Sequence, residues 1–176
     1  LAGAKKVQMI MMPQTVALLN GFGGAASAIV AAVAVLNGND TDMFSLLTAG
    51  IALGVGVITL TGSLVAAGKL HKLLPQKPVE LKNHQAITTL SMLLTIASIV
   101  LMAFVKSNSA ALIVLIAVCA IFSGLFGVVF AIRVGGADMP ITISLLNSLS
   151  GVAGAIAGMT ISDPLLVAVG GIVGAS

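Results

Sequence analysis

The sequence predicts an all-α integral membrane protein, a bundle of about six transmembrane helices with the last one cut short. Three observations predict this class: 59% of the 176 residues are hydrophobic, only 7% are charged, and the mean hydropathy is +1.19. A soluble domain carries about 25% charged residues, so this chain could not cover a water-facing surface, and we expect lipid to be its solvent. The net charge of +3 lies in the predicted loops, which indicates membrane orientation and argues against a nucleic-acid partner.

Six apolar stretches with helix signals at their ends form the predicted elements, and a spanning helix needs roughly 20 such residues. Pro13 suits a first helical position, because a proline there forfeits no intrahelical hydrogen bond. Asp42 and Asp163 precede two of the stretches as N-caps, and Pro164 follows the second cap. The predicted helices are α1 at 13–36, α2 at 43–70, α3 at 85–105, α4 at 110–133, α5 at 140–161 and α6 at 164–176.

The last predicted helix is shorter than the others. Its thirteen residues, 164–176, would span only about 20 Å, against the roughly 30 Å of a hydrocarbon layer. We therefore expect residues 1–176 to be a transmembrane domain fragment whose last helix is truncated or partly ordered. No second domain is predicted within them.

The Lys and Arg residues are divided unequally between the two sides of the predicted bundle. The side of the N-terminus, the α2–α3 loop and the α4–α5 loop holds seven, and the other side holds only Lys106. Because cytoplasmic loops are enriched in Lys and Arg, we expect the N-terminus, Lys77 and Lys82 to be cytoplasmic and Asp40 to face the opposite side. The seven are Lys5, Lys6, Lys69, Lys72, Lys77, Lys82 and Arg133.

A parallel internal repeat relates α1 to α5. Residues 12–31, MPQTVALLNGFGGAASAIVA, and residues 139–158, MPITISLLNSLSGVAGAIAG, are identical at ten of twenty positions with an offset of 127. Chance matches of Ala, Leu and Ile are common in apolar sequence, but a proline followed seven residues later by an asparagine in both copies is not. Each copy therefore predicts a helix start with one amide side chain two turns into an apolar run.

The repeated amides, Asn20 and Asn147, share a helix face with small residues. Seven residues at about 1.5 Å each place each amide roughly 10 Å beyond its helix start, inside the hydrocarbon layer. Small residues four apart allow close helix packing, and we interpret the glycines of α1, α5 and α6 in this way. For the two asparagines, packing glue and a hydrated path remain open alternatives. The packing glycines are Gly24, Gly151, Gly154, Gly158, Gly170 and Gly174.

Titratable side chains are absent from the central part of every predicted helix. Asn, Ser and Thr can orient water but cannot carry a proton, so a proton path here would need a titratable group from another chain or segment. From the residues alone, parallel repeats and a polar pair at membrane depth favour an ion-coupled secondary transporter or channel subunit. A purely structural subunit is the next alternative.

Four segments carry a resemblance to a known family: MPQTVALLNGFGGAAS, TGSLVAAGKL, GGADMPITISLLNSLSG and DPLLVAVGGIVGAS. They resemble the membrane domain, domain II, of the beta subunit of proton-translocating NAD(P) transhydrogenase. The resemblance implies a multi-pass protein of the bacterial inner membrane that couples hydride transfer from NADH to NADP⁺ to inward proton movement. It also implies that the hydride-transfer site, NAD(H) and NADP(H) lie in soluble domains, with no cofactor or metal bound in this chain.

The resemblance also implies roles and partners. The proton path would include Asn20, Ser63 and Asn147, and Asp138, with Arg133 nearby, would couple to the NADP(H)-binding domain that follows the last helix. Many family members carry a histidine at the position of Asn20, and some place it on a helix of the alpha subunit instead. The expected partners are the alpha subunit's membrane helices and NAD(H)-binding domain, the absent NADP(H)-binding domain, a second copy in a homodimer, and lipid.

Overall fold

The structure is a computed structural model, and it describes residues 12–37, 42–105 and 109–175. The predictions for Lys5, Lys6, Asp40 and Lys106 fall on residues outside these ranges. Within them the chain is helical without strands, which confirms the all-α class. The helices are α1 Met12–Asn37, α2 Met43–Leu70, α3 His84–Phe104, α4 Ser109–Arg133, α5 Met139–Thr160 and α6 Pro164–Gly174, with a 3-10 turn at Gly136–Asp138 before α5.

Five of these helices, α1 to α5, are long and apolar enough to cross a membrane, and α6 is a shorter apolar helix. Its 11 residues follow a turn in which the Asp163 carboxylate accepts hydrogen bonds from the backbone N–H groups of Leu165 and Leu166. The predicted cap with a proline behind it is therefore confirmed. Asp42 stands at the N-cap position of α2, but its side chain makes no capping hydrogen bond.

The central helix of the bundle is α2, which packs against α1, α3, α4 and α5. Its pairing with α1 is antiparallel: the Gln14 side chain donates to the Leu70 carbonyl, and further along, Gly24 lies against Gly56. Small residues on both helices let the backbones approach closely. The α5–α6 pair is antiparallel as well, with Gly158 facing Val167 near the connecting turn.

The two repeat copies lie side by side, parallel and in register. Gly23 faces Ser150, and Ser27 faces Gly154, so positions related by the offset of 127 residues meet across the α1–α5 interface. Two apolar clusters lie at different positions along these helices. One contains Ala28, Ala31, Leu53 and Met102, and the other contains Ala17, Ala66, Met139 and Leu146. The polar residues of α1, α2 and α5 that the sequence singled out lie between the two clusters along their helices.

Candidate functional site

Ser63 on α2 is a fully buried polar residue, and its hydroxyl has no hydrogen-bond partner among the described residues. A helical serine usually donates to the carbonyl three or four residues earlier. Thr59, one turn before it, does so, with 2.8 Å from its hydroxyl to the Val55 carbonyl oxygen. The Ser63 side chain packs beside Gly21 of α1 instead, which places an unsatisfied hydroxyl at the α1–α2 contact.

Asn20 on α1 is 7% exposed and connects two repeat copies. Its Nδ2 donates to the Ile143 carbonyl oxygen of α5 at 3.3 Å. A carboxamide has two N–H donors and one carbonyl acceptor, so this bond uses one donor. Asn20 therefore links α1 to α5.

Asn147, the repeat counterpart of Asn20, has a different environment. It is partly exposed, and its side chain makes no hydrogen bond to the residues that the structure describes. The structure thus places Ser63 at the α1–α2 contact and Asn20 at the α1–α5 contact, and it leaves Asn147 partly exposed on α5. The repeat predicts equivalent surroundings for the two amides, but in the structure their surroundings differ.

Gln14, in the first turn of α1, is a polar residue that sequence reasoning missed. Its Nε2 donates to the Leu70 carbonyl oxygen at 3.0 Å, while its Oε1 is buried without a partner. Gln14 is not among the identical positions of the repeat, because the second copy has Ile141 here. The useful signal was the departure from the repeat: a polar side chain where the other copy is apolar.

At the end of the bundle where α1 and α5 begin, a pocket of about 640 Å³ opens between α3, α4 and the 3-10 turn. Its wall includes His84, Arg133 and Asp138, so the two residues assigned to coupling by the resemblance line the same pocket. Arg133 Nε lies 3.8 Å from Glu80 Oε1, but both side chains are mostly exposed, and such a pair contributes little energy. Asp138 itself is exposed.

Lys69, in the last turn of α2, is the second residue that sequence reasoning missed. The sequence places it among the loop charges, whereas the structure leaves it 0% exposed. Its Nζ donates to the carbonyl oxygens of Ile132 at 2.5 Å, Val134 at 2.7 Å and Lys77 at 3.5 Å. Position in the last turn could not reveal this burial, because the three acceptors are backbone atoms of distant segments.

The small-residue faces divide between several neighbours. Gly24 faces Gly56 and Thr59 of α2, and Gly151 faces Gly174 of α6. A Cβ at Gly154 would meet only Ser27 Oγ, at an ordinary 3.8 Å, so this position is less tightly packed than its neighbours on α5. On α6, Gly170 faces Ala155 and Gly174 faces Val152.

A row of hydroxyls on α3 is the third feature that was missed. The row consists of Ser91, Thr95 and Ser98, which are buried at helical spacing. Each of the three hydroxyls donates to a carbonyl of its own helix. Their spacing is visible in the sequence. Because each donor is satisfied within α3, they serve as small contact residues in the packing against α2 and α4. In the described part of the chain, no three His, Cys, Asp or Glu side chains come together as metal ligands would.

A family model described as NAD(P) transhydrogenase beta subunit matches residues 1–176. Two curated relatives, both named NAD(P) transhydrogenase subunit beta and both from Rhodospirillum rubrum, one of them from a specified strain, are 36% identical over 181 residues. Each match covers 98% of this chain and 38% of the relative. The chain therefore spans well under half the length of the relatives that it matches.

Proposed function

The chain belongs to the NAD(P) transhydrogenase beta subunit family, and from this we propose that it is the proton-conducting membrane part of such an enzyme. In this proposal, soluble domains transfer hydride from NADH to NADP⁺, and the bundle couples that transfer to inward proton movement. The alpha subunit and an NADP(H)-binding domain are its partners, in a dimeric complex of the bacterial inner membrane. The end of the bundle that carries Asp138 faces the cytoplasm.

The observation that carries this proposal is the pair of unpartnered oxygens at the α1–α2 contact. Of three buried side-chain atoms without a partner in the described ranges, two are Gln14 Oε1 and Ser63 Oγ, both on this interface. A buried polar atom without a hydrogen bond costs about 1–3 kcal/mol. Water is the partner that removes this cost in polar interiors, so we infer ordered water beside both oxygens.

The order of the polar groups along the helices supports a path. Gln14 lies in the first turn of α1, at the same end of the bundle as Asp138. Ser63 and Asn20 follow at greater depth, and Asn147 lies on the open side of α5. Amides and hydroxyls orient water, and the titratable group comes from a helix of the alpha subunit in this proposal.

Replacing Ser63 by alanine tests the water path without breaking a hydrogen bond. Because the Ser63 hydroxyl has no protein partner, Ser63→Ala should leave the thermal stability of the assembled complex unchanged. Proton uptake per assembled complex in vesicles should fall about tenfold, the effect of a barrier raised by roughly 1.4 kcal/mol. The control is Ser91→Ala, since Ser91 is equally buried but donates to the Thr88 carbonyl of α3.

Together the two variants distinguish an effect on proton transport from an effect on helix packing. Ser91→Ala should lose a hydrogen bond and some stability, with proton uptake per complex retained. Normal uptake with Ser63→Ala would remove the α1–α2 contact from the path and leave its polar residues as packing groups.

A further inference from the structure

Lys69 is a buried cation, and no described carboxylate lies within ion-pair distance of it. Its ammonium lies between the end of α2, the end of α4 and the loop that follows α2, and each of three hydrogen bonds goes to a backbone carbonyl. Burying a charge is costly unless it is compensated. Here the compensation is the C-terminal end of α4, where unpaired carbonyls carry the negative end of the helix dipole.

The number of hydrogen bonds indicates what Lys69 does. An ammonium group has three N–H donors and no acceptor, and the three carbonyls take all three donors. A neutral amine has only two N–H donors, so the full set of three bonds requires the ammonium form. Lys69 is therefore suited to hold backbone segments together.

The segments that Lys69 joins are also connected to each other. The Val79 amide donates to the Ile132 carbonyl at 3.2 Å, and the Gly136 amide donates to the Gln76 carbonyl at 2.8 Å. These bonds fasten the loop after α2 to the turn between α4 and α5. The chain continues from Gly136 directly into Asp138, which precedes the first residue of α5.

We propose that Lys69 is a positioning residue that holds the α4–α5 turn, and Asp138 with it, in a set place relative to α2. Any displacement of this turn is then transmitted to α2, the helix that also carries Ser63. The inference rests on the proposed function for its consequence in transport, whereas the backbone connection itself can be tested without it.

The structural test is hydrogen–deuterium exchange on the complete complex. Lys69→Met removes the charge at nearly constant length, and the Val79 and Gly136 amides should then exchange about tenfold faster, because hydrogen bonds to a charged group hold this local structure closed. Lys82→Met is the matched control, since Lys82 is exposed in the same loop and its loss changes the net charge equally. Unchanged exchange at both amides in Lys69→Met would overturn the proposal.

The functional test is the ratio of protons moved to hydrides transferred, measured in vesicles that contain the complex. A general loss of assembly lowers both rates and leaves the ratio intact, whereas a misplaced Asp138 lowers the ratio. We expect a lower ratio with Lys69→Met and an unchanged ratio with Lys82→Met. Faster exchange with an unchanged ratio would show that Lys69 only stabilises the loop, and would overturn the positioning role.

A second variant tests the same backbone connection if the Lys69→Met complex does not assemble. Val79→Pro removes the N–H that donates to the Ile132 carbonyl and leaves Lys69 intact. It should also speed exchange at Gly136 and lower the ratio of protons to hydrides; an unchanged ratio would count against positioning. Absence of proton movement in the unmodified complex would instead contradict the proposed function. The exchange result would still test whether Lys69 holds the loop after α2 to the α4–α5 turn.

Discussion

The α1–α2 hairpin and the α5–α6 hairpin are built on the same helix crossing. In the first, Gly56 of α2 lies against the Gly24 carbonyl and Ala28 of α1. In the second, Gly170 of α6 lies against the Gly151 carbonyl and Ala155 of α5. Gly24 and Gly151 are equivalent in the repeat, as are Ala28 and Ala155, so the repeat extends from single helices to the way each contacts its successor.

The two hairpins differ in their polar content. The α1–α2 contact contains the unpartnered oxygens of Gln14 and Ser63, whereas on α5 the Ser148 hydroxyl donates to the Gly174 carbonyl. Helix α2 of the first hairpin lies at the centre of the bundle, and both hairpins expose apolar side chains, such as Phe22 on α1 and Ile172 on α6. The glycine contact is therefore a scaffold common to both hairpins. The unsatisfied polar groups of Gln14 and Ser63 distinguish the α1–α2 hairpin from the α5–α6 hairpin.

The largest expected effect comes from adding a Cβ at either crossing. In Gly24→Ala the new atom would lie 2.6 Å from the Gly56 carbonyl oxygen, and in Gly151→Ala it would meet the α6 backbone. Backbone cannot rotate away as a side chain can, so each variant should lose about 1–3 kcal/mol or more of stability. Thermal unfolding of the purified complex measures this loss.

Two glycines on the second hairpin provide controls. Gly171 has nothing within 4 Å of a built Cβ, and Gly154 has only Ser27 Oγ at 3.8 Å. Alanine at either should be tolerated. If Gly24→Ala or Gly151→Ala proved as stable as Gly171→Ala, the two crossings would not be the shared scaffold.

The next effect separates the two repeated asparagines. Asn20→Leu removes the hydrogen bond to the Ile143 carbonyl and should destabilise the complex by roughly 0.6–2 kcal/mol. Asn147→Leu removes no such bond, so its stability should hold while proton uptake per assembled complex falls strongly. Full uptake with leucine at position 147 would exclude Asn147 from the path.

Histidine at position 20 sharpens the same comparison. Histidine can still donate a hydrogen bond toward α5, and the family resemblance places histidine there in many members. Asn20→His should therefore be tolerated better than Asn20→Leu, in both yield and proton uptake. Equal losses in the two variants would mean that side-chain volume, not hydrogen bonding, determines yield and proton uptake at this position.

The smallest effect concerns the turns before the second helix of each hairpin. Asp163→Ala removes two hydrogen bonds to the start of α6, which should cost about 1 kcal/mol, the usual loss for an N-cap. Asp42→Ala removes no capping bond, so its unfolding temperature should stay close to that of the unmodified complex. A large loss with Asp42→Ala would point to a partner for that carboxylate that lies outside the described chain.

The sequence by itself determined the class, the helices and the repeat. Apolar run length, prolines at helix starts and polar interruptions are local signals, and the central helix was predicted at 43–70 and observed at Met43–Leu70. The helix starts at Pro13 and Pro164 were predicted to within a residue. Local signals suffice here because a helix in lipid must satisfy its backbone within one continuous segment.

Only the tertiary structure decided which neighbour each helix face meets. Helical spacing groups Asn20, Gly24 and Ser27 on one side of α1, but Gly24 packs on α2 while Asn20 and Ser27 face α5. It also decided that Asn20 has a partner, that Ser63 has none in the described structure, and that Lys69 is buried. The physical reason is that the partners are backbone carbonyls and glycine surfaces of distant segments, which no side-chain pattern in the sequence records.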